Sequence, residues 1–573
     1  MIRSLSPFIP HDSANPGSGL AVRKLACLPL FLCLAVFGAL PSGAPAAPAS
    51  DLPDLLVNDD GLALTFEIFR DAKAGGPKTH WISLDPNYNW GTVDPRWIPV
   101  EPYESVDDWA AVRWAGLEEV APEASIGLAL CVNLSKPWPY AFDEGVYPEH
   151  PVWGKDPLSP FIDWCRAKGI ASYFSIRMND QHHSVVNHPM YHRGRFFWDR
   201  PELFLDPPSP EEWEEHYLPW INTGENVPKP LPESYRKRGE NYHDLRVNYA
   251  FEEVRDFYVG LATDLAERHP DVDGIELDFM RSRKFFPDGE EEPGKLTAVV
   301  RRIRENVDRI AAEAGKPIRI VARVPTFHDG YAAGMRVRQW LDEGLLDGII
   351  LGHGNMISDN PMEEWAAYAK EREVKVYGPI ERMYLSSARL REATPETTRG
   401  AASTAYGKGA DGLYFFNWFA PEEHYLLPQL DDPEALSEMS KRYFADTARI
   451  ARQGRDFGSR QIRTPLRHRP GESASVYRFG LFINTDFKAA CDTRLTVHTE
   501  NIRREFINVT VNGRDVTDEM RLVYGANRLS YRLPDALTRE LLRNGPNEID
   551  VSLAPNPFDE DLVIEGVTGT FLY

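Results

Sequence analysis

Cysteine is scarce in this chain of 573 residues, and several familiar enzyme motifs are missing. Two of its five cysteines, Cys27 and Cys33, lie in one apolar segment near the N-terminus. The scattered Cys131, Cys165 and Cys491 suit neither a disulfide framework nor a cysteine metal cluster. No P-loop, G-x-G-x-x-G fingerprint or G-x-S-x-G elbow occurs, which argues against nucleotide-binding, dinucleotide-binding and serine-hydrolase classes.

Positive charge is in deficit. The chain has 64 Lys and Arg against 86 Asp and Glu, a formal net charge of −22. An acidic surface repels phosphate backbones and anionic membranes, so the composition predicts no nucleic-acid partner. The hydrophobic content of 42% is ordinary for a globular protein, and the length allows a large core and more than one domain.

One long apolar run is present, at residues 25–40, directly after Arg23 and Lys24. The small-residue stretch that follows offers cleavage sites after Ala46 or Ala49, which is typical of a signal peptide. We therefore predict a signal peptide over residues 1–49 and export to the periplasm or the medium. An uncleaved anchor is the alternative. No later run suggests a membrane span, so none is expected after cleavage.

Short β-like runs alternate with amphipathic helical stretches through the next 400 residues. This alternation predicts a (β/α)8 barrel with long βα loops over residues 50–455. The predicted strands cover residues 54–59, 126–133, 169–178, 272–280, 318–325, 346–354, 374–380 and 410–419. Residues 62–71 compete for the place of the first strand. Long inserts at 61–105 and 181–245 would form the walls of a cleft at the C-terminal face of the barrel.

The sequence pattern changes near residue 455, where short strand-like runs of alternating polarity begin, separated by NG and GAN turns. Residues 456–573 are therefore predicted to form a β-sandwich. Such a domain is either a sugar-binding module or a stabilising appendage.

Polar side chains occur at the end of nearly every predicted barrel strand. Catalytic and binding groups of such barrels come from these positions, and a buried polar group is costly unless it is paired. The candidates for substrate binding are Arg177, Asn179, Asp180, His182, His183, Arg281, Arg323, His353, Asn417 and Trp418.

The stretch VDGIELDFMRSRKFF, residues 272–286, carries two carboxylates two positions apart. Residues two apart on a strand share a face, so Glu276 and Asp278 would point into the barrel, with Asp278 nearer the mouth. The structural alternative is an ion pair between Glu276 and Arg177 or Arg323.

Glycoside hydrolysis requires two carboxyl groups across the scissile bond, one as acid and one as nucleophile or base. Strands four and seven lie on opposite sides of a barrel mouth, so Asp278 and Glu381 would face each other, with Glu276 as a third catalytic candidate. A salt-bridged loop acid is the alternative for Glu381. The arginines would bind acidic substituents such as uronate or sulfate.

We expect no metal and no cofactor, although Asp180 with His182 and His183 is a conceivable metal site. The sequence-based interpretation is thus an exported glycoside hydrolase acting on a poly- or oligosaccharide. A non-catalytic carbohydrate-binding or cell-envelope protein and a metal-dependent hydrolase are the alternatives.

The stretches YFSIRMNDQHHS (173–184) and VDGIELDFMRSRKFF resemble the glycosyl-hydrolase-like barrel proteins of marine and planctomycete-type bacteria, which are related to the family-10-like glycosyl hydrolases. The resemblance runs through ARVP, PMEEW and FFNWF but not over the C-terminal region. It implies a (β/α)8 fold and a carbohydrate role.

The broader retaining clan of such barrels carries its acid/base on strand four and its nucleophile on strand seven. Asp278 or Glu276 and Glu381 match those places. That clan shows Asn-Glu at the end of strand four, whereas ELDF here looks like the strand-four aspartate nucleophile of amylase-type barrels. The resemblance therefore leaves the individual roles open.

Overall fold

The computed structural model describes residues 52–59, 78–80, 98–100, 110, 114–133, 156, 158–179, 196, 199–214, 246–281, 284–325, 334–352, 360–381, 394–416, 418, 421–452, 461–524 and 529–573. Residues 46–573 form one compact unit. Among the described residues, no helix is long and apolar enough to cross a membrane. Cys131, Cys165 and Cys491 are free thiols.

Eight parallel strands close into a barrel in the order of the chain. Each strand pairs with its predecessor and successor, and the last pairs with the first. The strands are β1 (Leu55–Asp59), β2 (Ile126–Cys131), β3 (Ala171–Arg177), β4 (Gly274–Asp278), β5 (Arg319–Val324), β6 (Gly348–Leu351), β7 (Lys375–Glu381) and β8 (Gly412–Phe416). All eight predicted strands are confirmed, and residues 55–59 form the first. The competing stretch 62–71 lies outside the described residues.

Helices follow the strands as a βα repeat requires. They are α1 (Ala115–Val120), α2 (Leu158–Lys168), α3 (Glu252–Arg268), α4 (Pro293–Ala314), α5 (Val337–Asp342), α6 (Met362–Lys370) and α7 (Pro395–Gly407). Short helices lie at Pro210–Glu212, Leu427–Leu430, Pro433–Ser437 and Asp535–Leu541, and 3-10 turns at Pro201–Leu203, Pro421–Leu426 and Arg504–Phe506. In α4, Leu296, Val299, Val300 and Ile303 recur at helical spacing and are buried.

The barrel has two apolar cores because alternate strand residues face opposite sides. On β4, Ile275 and Leu277 pack in the outer core with the helices. The inner core contains Tyr173, Val321 and Tyr414, among other inward residues. Glu276 and Asp278 therefore point inward, as the two-residue period predicted.

Two six-stranded antiparallel sheets follow the barrel. Sheet A runs Lys441–Ala445, Leu562–Leu572, Asp492–Glu500, Leu529–Leu533 and Arg521–Tyr524, and Leu466–His468 also pairs with Leu562–Leu572. Sheet B runs Gln461–Arg463, Thr447–Arg452, Ser475–Ile483, Gly545–Leu553, Ile507–Val511 and Arg514–Asp515. Both sheets contribute to one core, which is the predicted sandwich. A separate hairpin pairs Lys78–His80 with Ile98–Val100.

Helix α7 of the barrel contacts the sandwich. The Ser403 hydroxyl donates to the Asn484 carbonyl, and Asn484 Nδ2 donates to the Ser403 carbonyl at 3.0 Å. The predicted division between residues 455 and 456 falls between strands Thr447–Arg452 and Gln461–Arg463 of sheet B. The domain boundaries stay a prediction.

Candidate active site

Polar and charged side chains form a layer at the C-terminal end of the barrel. The last inward position of a strand is Asn58 on β1, Arg177 on β3, Asp278 on β4, Arg323 on β5, Glu381 on β7 and Phe416 on β8. Arg177 and Arg323 are the register neighbours of Asp278 on the two flanking strands. This end of a (β/α)8 barrel is where catalytic groups converge.

Arg323 joins the two predicted catalytic carboxylates. Its Nη2 donates to Glu381 Oε1, and its Nη1 lies 3.6 Å from Asp278 Oδ2. All three side chains are 1% exposed. A buried charge needs a partner, so the loss of any one of these three side chains would cost folding free energy. The other oxygen of Asp278, Oδ1, accepts from the Met280 amide at 2.8 Å.

Glu276 lies one layer below Asp278 and is fully buried. Its Oε1 accepts from the Tyr414 hydroxyl at 2.6 Å, and its Oε2 accepts from Asn58 Nδ2 at 3.2 Å. Burial, followed by the charge of Asp278, raises the pKa of Glu276 to about 7, and the Tyr414 hydrogen bond opposes that rise. Burial also raises the pKa of Tyr414, so its hydroxyl stays a donor.

The buried charges balance when Glu276 carries a proton. Arg177 and Arg323 are the cations of the layer, and Asp278 and Glu381 are the anions. A neutral Glu276 then leaves no excess charge in a dry environment, which is the condition for burying such a cluster. The two carboxyl groups of β4 thus occupy different environments: Glu276 has a raised pKa, and Asp278 faces a guanidinium.

The side chain of Asn179 forms hydrogen bonds with backbone groups of two neighbouring segments. Its Nδ2 donates to the carbonyls of Val247 and Lys284 at 3.0 and 2.9 Å, and its Oδ1 accepts from the Val247 amide at 3.1 Å. The side chain is fully buried. It therefore fixes the segments beside the barrel mouth in place.

Two further candidates pack against aromatic rings. The Arg281 guanidinium lies 5.1 Å from the centroid of the Phe416 ring, and that of Arg323 lies 3.9 Å from it. These are cation–π distances. The structure places Trp418 in the outer core, where its ring meets Phe415 edge-on at 5.0 Å, rather than in the barrel mouth.

The other predicted binding residues, Asp180, His182, His183, His353 and Asn417, lie outside the described residues. Within the part of the chain that the structure describes, no group of three His, Cys, Asp or Glu side chains is arranged to hold a metal ion. The metal-site alternative at Asp180 is therefore not addressed by the structure.

Comparisons with known proteins find similar solved structures, all at low sequence identity. No family model and no curated protein matches the chain. Solved structures similar to it include the PgaB (BpsB) glycoside hydrolase domain from Bordetella bronchiseptica, at 11% identity and a TM-score of 0.35, covering 67% of this chain and 98% of that domain.

Two others extend over more of the chain. An isomalto-dextranase from Arthrobacter globiformis T6 is 9% identical with a TM-score of 0.32, covering 91% of this chain and 97% of that one. A family GH18 chitinase from Chromobacterium violaceum is 10% identical with a TM-score of 0.32, covering 90% and 92%. The fold assignment depends on the strand pairing described above, and the resemblance to family-10-like proteins stays a prediction.

Two residues of the site were not among the sequence-based candidates: Tyr414 and Phe416. Asn58 was visible as a polar end to the first strand, but its partner was not. Tyr414 and Phe416 both point into the barrel from β8. An aromatic residue at such a position is equally typical of a hydrophobic core. Only the closed barrel shows that Tyr414 reaches Glu276, 138 residues away in sequence.

Proposed function

We propose that this protein is a glycoside hydrolase whose Asp278 and Glu381 act on the scissile bond. The observation that carries the proposal is the pairing of these carboxylates, on β4 and β7, with one buried guanidinium. The pairing holds both acids at the catalytic end of the barrel with fixed orientation. Such preorganised carboxylates suit an oxocarbenium-like transition state.

Glu276 supports this pair from below. With a pKa of about 7 it is mostly protonated below neutral pH, where it adds little negative charge beside Asp278. The Asp278 carboxylate then retains Arg323 as its counter-ion. Arg177 and Arg281 lie at the same end of the barrel, and guanidiniums there would bind a uronate- or sulfate-bearing glycan through its acidic groups.

Release of reducing ends from a panel of neutral, uronate and sulfated polysaccharides tests the proposal. The wild type should release them, and Asp278→Asn or Glu381→Gln should lower turnover by about 10²–10⁴-fold, the usual effect of losing an acid or base. Glycan binding without any release by the wild type would instead favour a carbohydrate-binding protein.

Asp347→Asn is the matched control. Asp347 is also a buried barrel acid, but it precedes β6 at the opposite end, where it accepts from Arg304 Nη1 at 2.8 Å and the Ile320 amide at 2.7 Å. Its replacement should lower the melting temperature and leave turnover per folded molecule unchanged. Equal loss in all three variants would contradict a special role for the mouth carboxylates.

We also propose that the protein acts outside the cytoplasm, because of the predicted signal peptide at residues 1–49. Intact-mass measurement of the protein from a cell envelope or culture fraction tests this. The mature chain should begin just after Ala46 or Ala49, whereas an intact N-terminus would indicate the anchored alternative.

A further inference from the structure

The outer face of sheet A carries an unusual set of arginines. On the central strand of this sheet, Asp492–Glu500, the side chains of Leu495 and Val497 point into the sandwich core. Alternate residues of a strand face opposite sides, so Arg494, Thr496 and His498 face outward. The same parity places the outward residues of the neighbouring strands beside them.

Two rows of this face follow from the strand register. One row is Arg442, Thr570 and Arg494. The other is Phe444, Thr568, Thr496, Arg532 and Arg521. No acid stands at any of these positions. We call the four arginines 442, 494, 521 and 532 the arginine face; Thr496 and Thr568, which lie between them, are buried, and Phe444 packs against the outer core of the barrel.

Most of this positive charge is not neutralised by the protein itself. Arg494 pairs with Asp492. Across the described ranges, Arg442, Arg521 and Arg532 have no ion pair or side-chain hydrogen bond. Arg521 is exposed and the other three arginines are half-buried. The net charge of the chain is −22, so these three guanidiniums without a described partner form a local positive region on an acidic protein.

We infer that the arginine face binds an anionic polysaccharide, with sulfate or uronate groups in contact with the guanidiniums. Guanidinium forks match such anions bidentately. Neighbouring strands are about 4.8 Å apart, which is comparable to the length of one sugar ring. Arg521 and Arg532 are direct cross-strand neighbours, so a chain lying across the strands would present successive anionic groups to them.

The choice of a polysaccharide rests on the proposed glycosidase function, whereas the anionic character of the ligand rests on the face itself. The sandwich would then hold an acidic polymer near the barrel, as a binding module on the same chain as the active site.

Electrophoresis of the full chain through gels containing dextran sulfate or uncharged dextran tests the inference. Dextran sulfate should retard the wild type and dextran should not. Arg521→Ala/Arg532→Ala should weaken binding to dextran sulfate by at least about tenfold, since two charge-assisted contacts are lost. Circular dichroism of the variant should match that of the wild type.

Arg449→Ala/Arg469→Ala is the matched control, because it removes the same charge from exposed arginines elsewhere on the sandwich. The control should bind like the wild type. Equal weakening in both double variants, no retardation of the wild type, or Arg521- and Arg532-dependent binding of duplex DNA or anionic vesicles in place of the glucan would overturn the inference.

The active-site variants separate this inference from the proposed function. Asp278→Asn should lose turnover and keep full retardation by dextran sulfate. Retardation that depends on Arg521 and Arg532, in a protein that hydrolyses no glycan, would remove the glycosidase proposal and leave the arginine face standing.

Discussion

At the residue scale, Arg323 is the side chain on which the buried charges of the barrel mouth depend. It contacts Asp278 and Glu381 at once and lies over the Phe416 ring. The two carboxylates raise its pKa against the opposing effect of burial, so it remains a cation. It was a candidate for substrate binding, and in the structure it bridges the two carboxylates that we propose to be catalytic.

Replacing this cation should therefore destabilise the fold. Arg323→Met removes the guanidinium that both buried carboxylates contact, and we expect a loss of about 3–5 kcal/mol in the free energy of unfolding. Denaturant titration measures it. Adding Asp278→Asn and Glu381→Gln to this variant removes both carboxylate charges and should recover much of the loss. No recovery in the triple variant would mean that packing around Phe416, rather than charge, explains the effect.

Glu276 gives the mouth a specific pH dependence. Its native pKa of about 7 lies above the value near 4.5 of a free glutamate, so the native state binds this proton more tightly than the unfolded chain. Its contribution to stability is thus complete at low pH and is lost as pH rises from about 4.5 to 7. Glu276→Gln cannot ionise and lacks this loss.

The free energy of unfolding of Glu276→Gln, minus that of the wild type, should therefore increase between pH 5 and pH 7.5 by up to about 3 kcal/mol. Urea titrations of both proteins at the two pH values give this difference, and the other titrating groups cancel. A difference that stays constant with pH would show that Glu276 is ionised throughout.

Sequence reasoning reached these residues unevenly. The period of two in the stretch from Val272 to Phe286 was sufficient to place Glu276 and Asp278 inside the barrel. Their partners come from β1, β5, β7 and β8, and only closure of the barrel brings them together. The predicted alternative of an ion pair with Arg323 is realised at Asp278, not at Glu276, because Arg323 lies in the upper layer.

At the element scale, the eight strands were predictable because each is a short apolar run bounded by turns or helices. Seven of the eight were longer in prediction than in the structure, since apolar residues such as Val272 and Phe279 continue the pattern beyond β4; β7 has the predicted length, shifted by one residue. The βα inserts could not be predicted in the same way, because they have no clear hydrophobic period.

Helix α7 shows how an element is matched to its neighbour. A Cβ at Gly400 would lie 2.2 Å from the Arg442 carbonyl oxygen, whereas a Cβ at Gly294, in the first turn of α4, would meet nothing within 4 Å. Glycine at position 400 therefore allows strand Lys441–Ala445 to pass close over the helix.

Alanine substitutions at these two glycines should have opposite effects. Gly400→Ala should lower the free energy of unfolding by about 1–3 kcal/mol, because the backbone of the sandwich strand must move. Gly294→Ala should raise it by up to about 1 kcal/mol through helix propensity. Thermal unfolding of both variants measures the contrast. A stabilising Gly400→Ala would mean that α7 and this strand are not in the contact described.

At the scale of the whole molecule, the chain has two distinct charged regions. One is buried in the barrel mouth, and the other lies on sheet A of the sandwich. The barrel mouth contains a buried cluster of both charges, and sheet A carries Arg442, Arg521 and Arg532, which have no ion pair with any residue that the structure describes. The net charge of −22 argued against a nucleic-acid partner and an anionic membrane, but such a sum over the chain cannot show that like charges gather on one sheet face. Register between strands, rather than composition, is what shows the arginine face.

The central claim is that Asp278 and Glu381 act together on one glycosidic bond. The most direct test is the kcat of the wild type, Asp278→Asn, Glu381→Gln and the double variant on a polysaccharide that the wild type cleaves. Residues that act as a unit are strongly non-additive, so each single variant should lose about 10²–10⁴-fold and the double variant little more. Losses that multiply in the double variant, or a single variant with full turnover, would contradict the claim.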